Sequence, residues 1–265
     1  MQLVVDSHTH TLASPDGFST VDEMAAAAAR AGLEGLAITD HAPELINWTP
    51  MLHFMGYGKL PRELSGVRMF YGVELNIMDF DGRVDMPEDI LARQHVVIAS
   101  FHTMCTKAGT CEENTRAYLR AMENPYVNII GHPDDGFIPI DFDRFVRAAK
   151  ESHVLIEVNN SSVRTVPYRL NTAENIREIL RLCMRYETPV VVGTTRAVWG
   201  SLARRWPLLK TRGSRRSLWP IRRSRSTSGC WRNRGGHRGL FWNGRMPSWG
   251  GSGNVYDGWV CERRA

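Results

Sequence analysis

Over residues 1–193, short apolar segments alternate with amphipathic segments, and this alternation constrains the fold more than any other feature of the sequence. Seven of the segments are typical of buried β-strands, because they are short, apolar and rich in β-branched residues. In chain order these are LVV, GLAIT, MFYGVELNI, HVVIASFH, VNIIGH, VLIEVNN and PVVVG. Strands separated by amphipathic helices indicate βα units and a parallel sheet, and seven strands in this order favour a closed or nearly closed α/β barrel.

The amphipathic segment after the first strand carries signals at both of its ends. Ser19 or Thr20 can serve as the N-cap of this helix, and Gly32 can serve as its C-cap. Three more helices are predicted from the segments TCEENTRAYLRAMEN, DFDRFVRAAKESH and TAENIREILRLCMRYE.

The composition of the chain changes abruptly near residue 194. Residues 1–195 contain 17 Lys and Arg against 26 Asp and Glu, whereas residues 196–265 contain 16 against 2. Seven of the eight tryptophans follow residue 196, and eight of the nine histidines precede residue 154. We predict an α/β domain over residues 1–195 and a basic tail rich in Trp, Arg and Gly over residues 196–265. The tail has no helical or strand period and is expected to be disordered.

The sequence also carries signals about the cellular compartment of the protein. No run of about 18 apolar residues is present, so no membrane span is predicted, and MQLVVDSHTH lacks the pattern of a signal peptide. The five cysteines contain no CxxC pair, which is typical of free thiols in a reducing cytoplasm and argues against a thiolate zinc site. We therefore expect a cytoplasmic protein with no membrane partner.

Histidines and carboxylates occur where the predicted strands end. His8 and His10 come at the end of the first strand, where the alternation of side chains places both on one face. Four further strands each carry one such residue at or near the end, namely His41, Glu74, His102 and His132. Because the carboxyl ends of parallel strands open on one face of a barrel, these side chains are expected to converge there.

This set of residue types predicts a metal centre. A single histidine at a strand end is usually structural, but five strand ends in succession that carry imidazole or carboxylate indicate metal ligands. Imidazoles and carboxylates without thiolates suit zinc, manganese or iron. The set is larger than one tetrahedral ion requires, so two or three ions are implied, and such a cluster can activate a water and hold phosphate oxygens.

Six motifs resemble those of the PHP family (polymerase and histidinol phosphatase): DSHTHTLASPDGFST, ITDHAP, GVELNI, ASFHT, IGHPD and EVNNSS. The resemblance covers about residues 1–193, and within the family the chain looks most similar to the stand-alone YcdX-type phosphatases. The resemblance implies a distorted (β/α)7 barrel of PHP type, here incomplete at its C-terminal end. It also implies a trinuclear metal site that usually holds zinc, and hydrolysis of small phosphomonoesters through a metal-activated water.

The resemblance also implies roles for individual residues. The expected metal ligands are His8, His10, Asp16, His41, Glu74, His102 and His132. Apart from the metal site, His53 and Arg62 in the long loop after the second strand are candidates to grip a phosphate. Asn160, at the end of a strand on the active face, is a candidate substrate contact. The expected partner is a small phosphorylated substrate, with homo-oligomerisation left open.

The resemblance breaks inside the last family motif, a Gly-[Ser/Thr]-Asp-x-His turn after the seventh strand. Gly193 matches this motif, but Thr195 and Ala197 stand where the motif has its Asp and His. The loss of these two ligands predicts two bound ions rather than three and an impaired activity.

A base lost near the codon of Thr194 would explain the break. An Asp codon would then be read as Thr195, and a GC-rich gene read out of frame gives the excess of Arg, Gly, Trp, Ser and Pro in residues 196–265. The rival hypothesis is a genuine basic arm with interleaved aromatics that binds nucleic acid, on a catalytically inactive metal-binding protein. Because the break falls inside a motif, the frameshift is favoured and nucleic-acid binding is disfavoured.

Overall fold

The computed structural model describes residues 5–163 and 169–195. Its strands are β1 (Val5–Thr9), β2 (Gly35–Ile38), β3 (Glu63–Leu64), β4 (Val67–Asn76), β5 (Val96–Ser100), β6 (Ile129–Ile130), β7 (Leu155–Asn159) and β8 (Val190–Gly193). Its helices are α1 (Val21–Ala31), α2 (Met51–Gly56), α3 (Glu88–Leu91), α4 (Cys111–Met122), α5 (Phe142–Ser152) and α6 (Thr172–Tyr186). Short 3₁₀ turns follow α2 and β7, at Tyr57–Lys59 and Asn160–Val163. The basic tail predicted over residues 196–265 lies outside the described residues.

Seven strands form one parallel sheet in the order β1-β2-β4-β5-β6-β7-β8, and β3 pairs antiparallel with the start of β4. The seven strands predicted from the sequence are therefore confirmed. The two ends of the sheet meet where the backbone N–H of Thr195 donates to the carbonyl of His8 at 2.8 Å. The hydroxyl of Ser7 donates to the carbonyl of Val192, also at 2.8 Å. The described residues thus form a distorted (β/α)7 barrel, nearly closed, with one seam between β1 and β8 that no ladder seals.

The ends of α1 agree with the sequence signals and settle the identity of its N-cap. Thr20, not Ser19, caps the helix: its hydroxyl accepts from the backbone N–H of Glu23, whose carboxylate accepts from the N–H of Thr20. Gly32 ends the helix at a φ of 77°, a left-handed conformation that glycine adopts without steric cost. These caps fix where the chain leaves β1 and where it enters β2.

The sequence pattern does not predict the elements α2, α3 and β3. They span 6, 4 and 2 residues, which is too short for a helical or strand period to repeat. They lie in the connections that follow β2 and β4, so they lengthen the loops of the barrel without changing its strand order.

A small apolar cluster fills the barrel interior below its polar carboxyl end. It comprises Ala37, Val96, Ile98, Ile129 and Val191. Side chains alternate along a strand, so Ile98 and Ser100 of β5 share a face, and the hydroxyl of Ser100 donates to the Glu74 carboxylate at 2.7 Å. The polar residues at the carboxyl end therefore lie directly above this apolar cluster.

Among the helices within residues 5–163 and 169–195, none has the length and apolar character that crossing a bilayer requires.

In the parallel pairing of β4 with β5, Gly72 lies opposite Val96, and the close approach of the two strands there makes Gly72 a test of this register. A Cβ on Gly72 would lie 1.9 Å from the carbonyl oxygen of Val96, whereas a Cβ on Gly56 would meet no atom within 4 Å. We expect Gly72→Ala to lower the free energy of unfolding by about 3 kcal/mol, because backbone atoms of a central ladder must move apart. Gly56→Ala should leave it unchanged or raise it by about 0.5 kcal/mol. Urea unfolding of both variants checks this, and equal stabilities would contradict the β4–β5 register.

Candidate metal centre

A single buried carboxylate, Glu74, lies at the centre of the polar end of the barrel. It sits near the carboxyl end of β4 and is 1% exposed. Three imidazole nitrogens surround its Oε2: the Nε2 of His8 at 3.2 Å, the Nε2 of His10 at 3.4 Å and the Nδ1 of His41 at 2.9 Å. His8 lies in β1 and His10 directly follows it. His41, three residues after the end of β2, pairs with Glu74 through an isolated parallel bridge.

The other oxygen of Glu74 faces two more imidazoles. The Nε2 atoms of His102 and His132 lie 3.3 and 2.9 Å from Oε1. The Nδ1 of His102 lies 2.6 Å from the side-chain oxygen of Asn76, which therefore accepts its proton and leaves Nε2 free. Five imidazoles from four strand ends thus converge on the two oxygens of one carboxylate.

Asp16 lies on the loop between β1 and α1, at the edge of this cluster. One of its oxygens is 3.7 Å from the Nε2 of His41, and its side chain is half-exposed. Three triads of side chains each offer ligand atoms within 4.8 Å of one another: His8, His10 and Glu74; His10, Asp16 and His41; His41, Glu74 and His102. All seven expected ligands are thereby brought to one mouth of the barrel, with His132 on the far oxygen of Glu74.

The spacing and the hydrogen bonding of these atoms fit metal ions. The Nε2 atoms of His8 and His10 lie 3.2 Å apart, and a tetrahedral zinc site with bonds near 2.0 Å holds its ligand atoms about 3.3 Å apart. The Nδ1 of His41 and the Oε2 of Glu74 are both buried, and neither makes a hydrogen bond within the described residues. Buried polar atoms that face each other without a hydrogen bond are the arrangement that a cation completes.

The electrostatics of the cluster favour a cation. Burial alone would raise the pKa of Glu74, but the surrounding histidines lower it well below its ordinary value. Burial opposes protonation of His41, yet Glu74 and Asp16 raise its pKa to about 9. Burial opposes protonation of His8 too, and Glu157 and Glu74 outweigh it, so that the pKa of His8 is raised well above its ordinary value. Without metal, protons on His8 and His41 offset the buried carboxylates.

Two other rings of the cluster are neutral and free to act as ligands. Burial, reinforced by the charge of His41, lowers the pKa of His10 to about 4. Burial, reinforced by Arg169, lowers the pKa of His132 to about 3. A neutral imidazole offers a lone pair, which is the form that binds a metal.

Glu157, on β7, orients the cluster from beneath and was not among the predicted site residues. The Nδ1 of His8 donates to its Oε1 at 2.8 Å, and the backbone N–H of His132 donates to its Oε2 at 2.7 Å. The bond to Nδ1 leaves the Nε2 of His8 directed at Glu74, as in the carboxylate–histidine–metal pairs of metalloenzymes. The signal in the sequence was a charged residue inside the otherwise apolar segment VLIEV.

Asp40 fixes the loop that carries His10, and it also explains where His53 lies. Its carboxylate accepts from the hydroxyl of Ser14 at 2.9 Å, and Ser14 in turn lies 3.3 Å from the Nδ1 of His10. Asp40 also accepts from the hydroxyl of Tyr57 at 2.9 Å and lies 3.1 Å from the Nε2 of His53. His53 therefore lies behind the ligand His10 and is engaged with Asp40.

The other two predicted substrate contacts are placed differently. The carbonyl of Arg62 accepts from the N–H of Met69, five residues before Glu74 along β4, or about 16 Å away at 3.3 Å per residue. Its guanidinium donates to the Nδ1 of His95 at 2.8 Å, so Arg62 is not brought to the site. Asn160 begins the turn after β7 at the carboxyl end of the barrel and is half-buried.

Arg169 brings a positive charge to the mouth and was also not predicted. Its guanidinium donates to the hydroxyl of Ser162, and its charge opposes protonation of His132. Nearby Asp134 is 1% exposed, and burial raises its pKa to about 6 against the influence of Arg169. Neither residue has a periodic signal, because both lie in loops that follow strands.

The turn after β8 abuts the cluster. The buried carboxylate of Asp6 accepts from the N–H of Thr194 at 3.1 Å and from its hydroxyl at 2.7 Å. Thr195 pairs with Thr9 across the seam and has a φ of 52°, which is strained for a β-branched residue. The position that lacks the expected Asp is thus beside the ligands of β1, and Ala197 lies outside the described residues.

Comparisons with known proteins agree with this geometry. The model of the PHP domain family matches residues 6–160. A protein named "Probable phosphatase" from Clostridium novyi is 42% identical over 194 residues, which are 73% of this chain and 79% of that protein. A protein of the same name from Acetivibrio thermocellus is 44% identical over 194 residues, with the same coverage. The histidinol phosphate phosphatase of Lactococcus lactis, solved with zinc, L-histidinol and phosphate, shares the fold, with a TM-score of 0.51, 17% identity, and coverage of 76% of this chain and 90% of that one.

The contacts of Glu157 predict a loss of metal affinity without loss of fold. In Glu157→Gln the side chain keeps its shape, but an NH₂ group replaces one of the two acceptors that serve His8 and His132. We expect the affinity for zinc to fall by about 10–100-fold. Glu151→Gln, at an exposed position of α5, is the matched control and should bind zinc as the unmodified protein does. Competition with a chromogenic chelator measures both, and equal affinities would exclude the orienting role.

Proposed function

The chain belongs to the PHP domain family, and on that premise we propose that it is a metal-dependent phosphoesterase that hydrolyses small phosphomonoesters through a metal-activated water. One observation carries the proposal: the buried Oε2 of Glu74 and Nδ1 of His41 lie 2.9 Å apart without a hydrogen bond, while Oε1 of the same carboxylate faces two further imidazoles. A carboxylate so placed is suited to bridge two ions. The names of the two relatives support phosphatase activity.

Zinc is the proposed metal, with manganese or iron as the other metals that suit this donor set. The donors are imidazoles and carboxylates, which zinc accepts in tetrahedral sites, and the structural neighbour was solved with zinc. The proposed ligands are His8, His10, Asp16, His41, Glu74, His102 and His132. When bound, such ions lower the pKa of a coordinated water and offset the charge of a phosphate group.

The protein's own residues have distinct proposed tasks around this chemistry. Glu74 holds the two halves of the cluster together, and Glu157 directs the ring of His8 toward it. Arg169, beside His132, is the proposed grip on phosphate oxygens, because a guanidinium binds them with paired hydrogen bonds. Asn160 remains a candidate substrate contact on the same face. The expected substrate is a small phosphorylated molecule, and the expected compartment is the cytoplasm.

We infer a stoichiometry of two ions and a reduced turnover from the turn after β8. Thr194 and Thr195 supply hydroxyls to Asp6 and Ser161 rather than a carboxylate to the cluster. A frameshift near codon 194 is the proposed origin. In support, the match to each of the two relatives leaves about a fifth of the relative and a quarter of this chain unaligned. The DNA sequence across codons 185–225 tests this origin directly.

The function is tested by the metal dependence of hydrolysis. We expect the full chain to hydrolyse a generic phosphomonoester slowly, to lose this activity after chelation, and to regain it with added zinc or manganese. The Glu74→Gln variant should be inactive under every metal condition, because the bridging charge is lost. Metal binding with no turnover in any condition would reject the phosphoesterase and favour the alternative of an inactive metal-binding protein.

The raised pKa values of His8 and His41 predict how zinc affinity depends on pH. Although burial opposes protonation, Glu74 and Asp16 raise the pKa of His41 to about 9. Against burial too, Glu157 and Glu74 raise the pKa of His8 well above its ordinary value, so both shifts favour protonated rings in the metal-free protein. Zinc must displace these protons, so its affinity should rise as pH rises from about 6.5 to 9. Calorimetry at pH 7 in buffers of different ionisation enthalpy should report the release of one to two protons. A release near zero would contradict the charge balance described for the cluster.

The position of Thr195 predicts that a single substitution adds a ligand. Thr195→Asp places a carboxylate on the residue whose N–H donates to the carbonyl of His8, and it replaces a β-branched residue at a φ of 52°. We expect zinc affinity to rise by about tenfold or more, with only partial gain in turnover because residue 197 remains alanine. Thr195→Asn is the matched control, since it tolerates the same backbone without the charge. Equal zinc affinity in the two variants would show that residue 195 does not reach the metals.

A further inference from the structure

Exposed apolar side chains occur in the loops at the end of the barrel that holds the metal centre. Within the described residues, seven of the ten exposed large apolar side chains lie in loops that follow the carboxyl ends of strands. Five of these, which we name the apolar rim, are Leu12, Phe18, Ile46, Trp48 and Met104. Such a concentration around one opening differs from the scattered exposed apolar residues of an ordinary surface.

Three rim residues lie two positions along the sequence from proposed metal ligands. Leu12 is two residues from His10, Phe18 two residues from Asp16, and Met104 two residues from His102. Two residues span at most about 7 Å, so each of these rim residues has its Cα within that distance of a ligand's Cα. The rim therefore borders the place where a phosphate would bind.

Two hydrogen bonds connect the segments that carry three of the rim residues, one within the loop after β1 and one between the loops after β1 and β2. The N–H of Leu12 donates to the carbonyl of Ser19 at 2.9 Å, which brings Leu12 beside Phe18. The hydroxyl of Thr49 donates to the carbonyl of Ala13 at 2.8 Å, which brings Trp48 next to the same loop. The segments that carry Leu12, Phe18 and Trp48 are thus fixed next to one another.

Packing of the core does not explain why these apolar side chains are exposed to solvent. Phe18 and Met104 are 70% and 69% exposed, so they contribute little to the core. Ile46 is exposed and has a φ of 52°, a conformation that a β-branched residue adopts only at a steric cost. Strain at an exposed apolar residue, in the loop that follows the ligand His41, points to a contact with something the protein binds.

We propose that the substrate is a soluble phosphate monoester whose leaving group has a large apolar portion, and that the apolar rim binds that portion. This inference rests on the proposed phosphoesterase function and specifies its substrate class. The metals and Arg169 would hold the phosphate, and Leu12, Phe18 and Met104 would cover the apolar part as it leaves the mouth. Removing apolar surface from water would then contribute affinity in proportion to the length of the leaving group.

Binding of n-alkylphosphonates to the zinc-loaded full chain tests this inference without requiring turnover. Their C–P bond is not hydrolysed, and the headgroup stays constant while the chain grows. We expect the dissociation constant to fall about twofold per methylene, or on the order of tenfold from ethylphosphonate to hexylphosphonate, since a half-buried methylene contributes part of the full transfer effect. Isothermal titration calorimetry below the micelle-forming concentration measures the series.

Matched methionine variants separate the rim from general surface effects. Met104→Ser, in the rim, should halve or abolish the dependence on chain length, and Leu12→Ser should act in the same direction. Met184→Ser makes the same change at an exposed methionine of α6, which is 47% exposed and outside the rim, and should leave the series unchanged. Methylphosphonate should bind all of these variants alike.

The possible outcomes distinguish this inference from the function on which it rests. If no phosphonate binds, including methylphosphonate, the proposed function fails and the inference with it. If methylphosphonate binds but the dissociation constant does not change with the length of the alkyl chain, only the inference fails. Loss of a dimer or trimer in sedimentation of the rim variants, with an unchanged series, would assign the rim to contacts between copies of the chain. Tight binding to phosphatidic acid vesicles, with dissociation constants for the soluble phosphonates that do not depend on chain length, would assign the rim to a lipid surface. Either of these two results would overturn the proposal.

Discussion

The structure depends on the burial of one carboxylate among five imidazoles. Glu74 is 1% exposed, and its two oxygens face His8, His10, His41, His102 and His132. A buried charge is stable only when positive charge or hydrogen bonds compensate it. The parallel barrel solves this problem geometrically, because its strand ends bring the rings to one point from distant parts of the sequence. Metal ions or protons complete the balance, and the spacing of the ring nitrogens favours ions.

The turn after β8 links the closure of the barrel to the completeness of the site. Asp6 binds Thr194 across the seam, and a Cβ on Gly193 would lie 2.1 Å from Oε1 of Glu157, the oxygen that orients His8. The residues that bring β8 against β1 are therefore the same residues that present position 195 to the metal ligands. A break in the sequence at this turn affects the last ligand positions while leaving the five-imidazole arrangement around Glu74 intact.

The seven strands and the convergence of the ligands could be predicted, because the alternation of apolar and amphipathic segments indicates a parallel barrel whose strand ends meet on one face. Each of the seven strands is confirmed, and Glu74, His102 and His132 lie together as their strand ends required. Positions in loops were harder, since no period fixes where a loop side chain points. Arg62 thus lies on His95, near the amino end of β5, and His53 lies behind the site on Asp40. Glu157 was missed because a single charge in an apolar strand does not reveal its partner, and residues 196–265 lie outside the structure described.

Anomalous scattering at the zinc absorption edge, from crystals of the zinc-loaded protein, tests most directly whether Glu74 bridges two ions. The account predicts two peaks about 3.5–4 Å apart. One should lie within bonding distance of Oε2 and the rings of His8 and His10, and the other within bonding distance of Oε1 and His132. A map with no peak bonded to either oxygen of Glu74, or with a single peak bonded only to histidines, would contradict it.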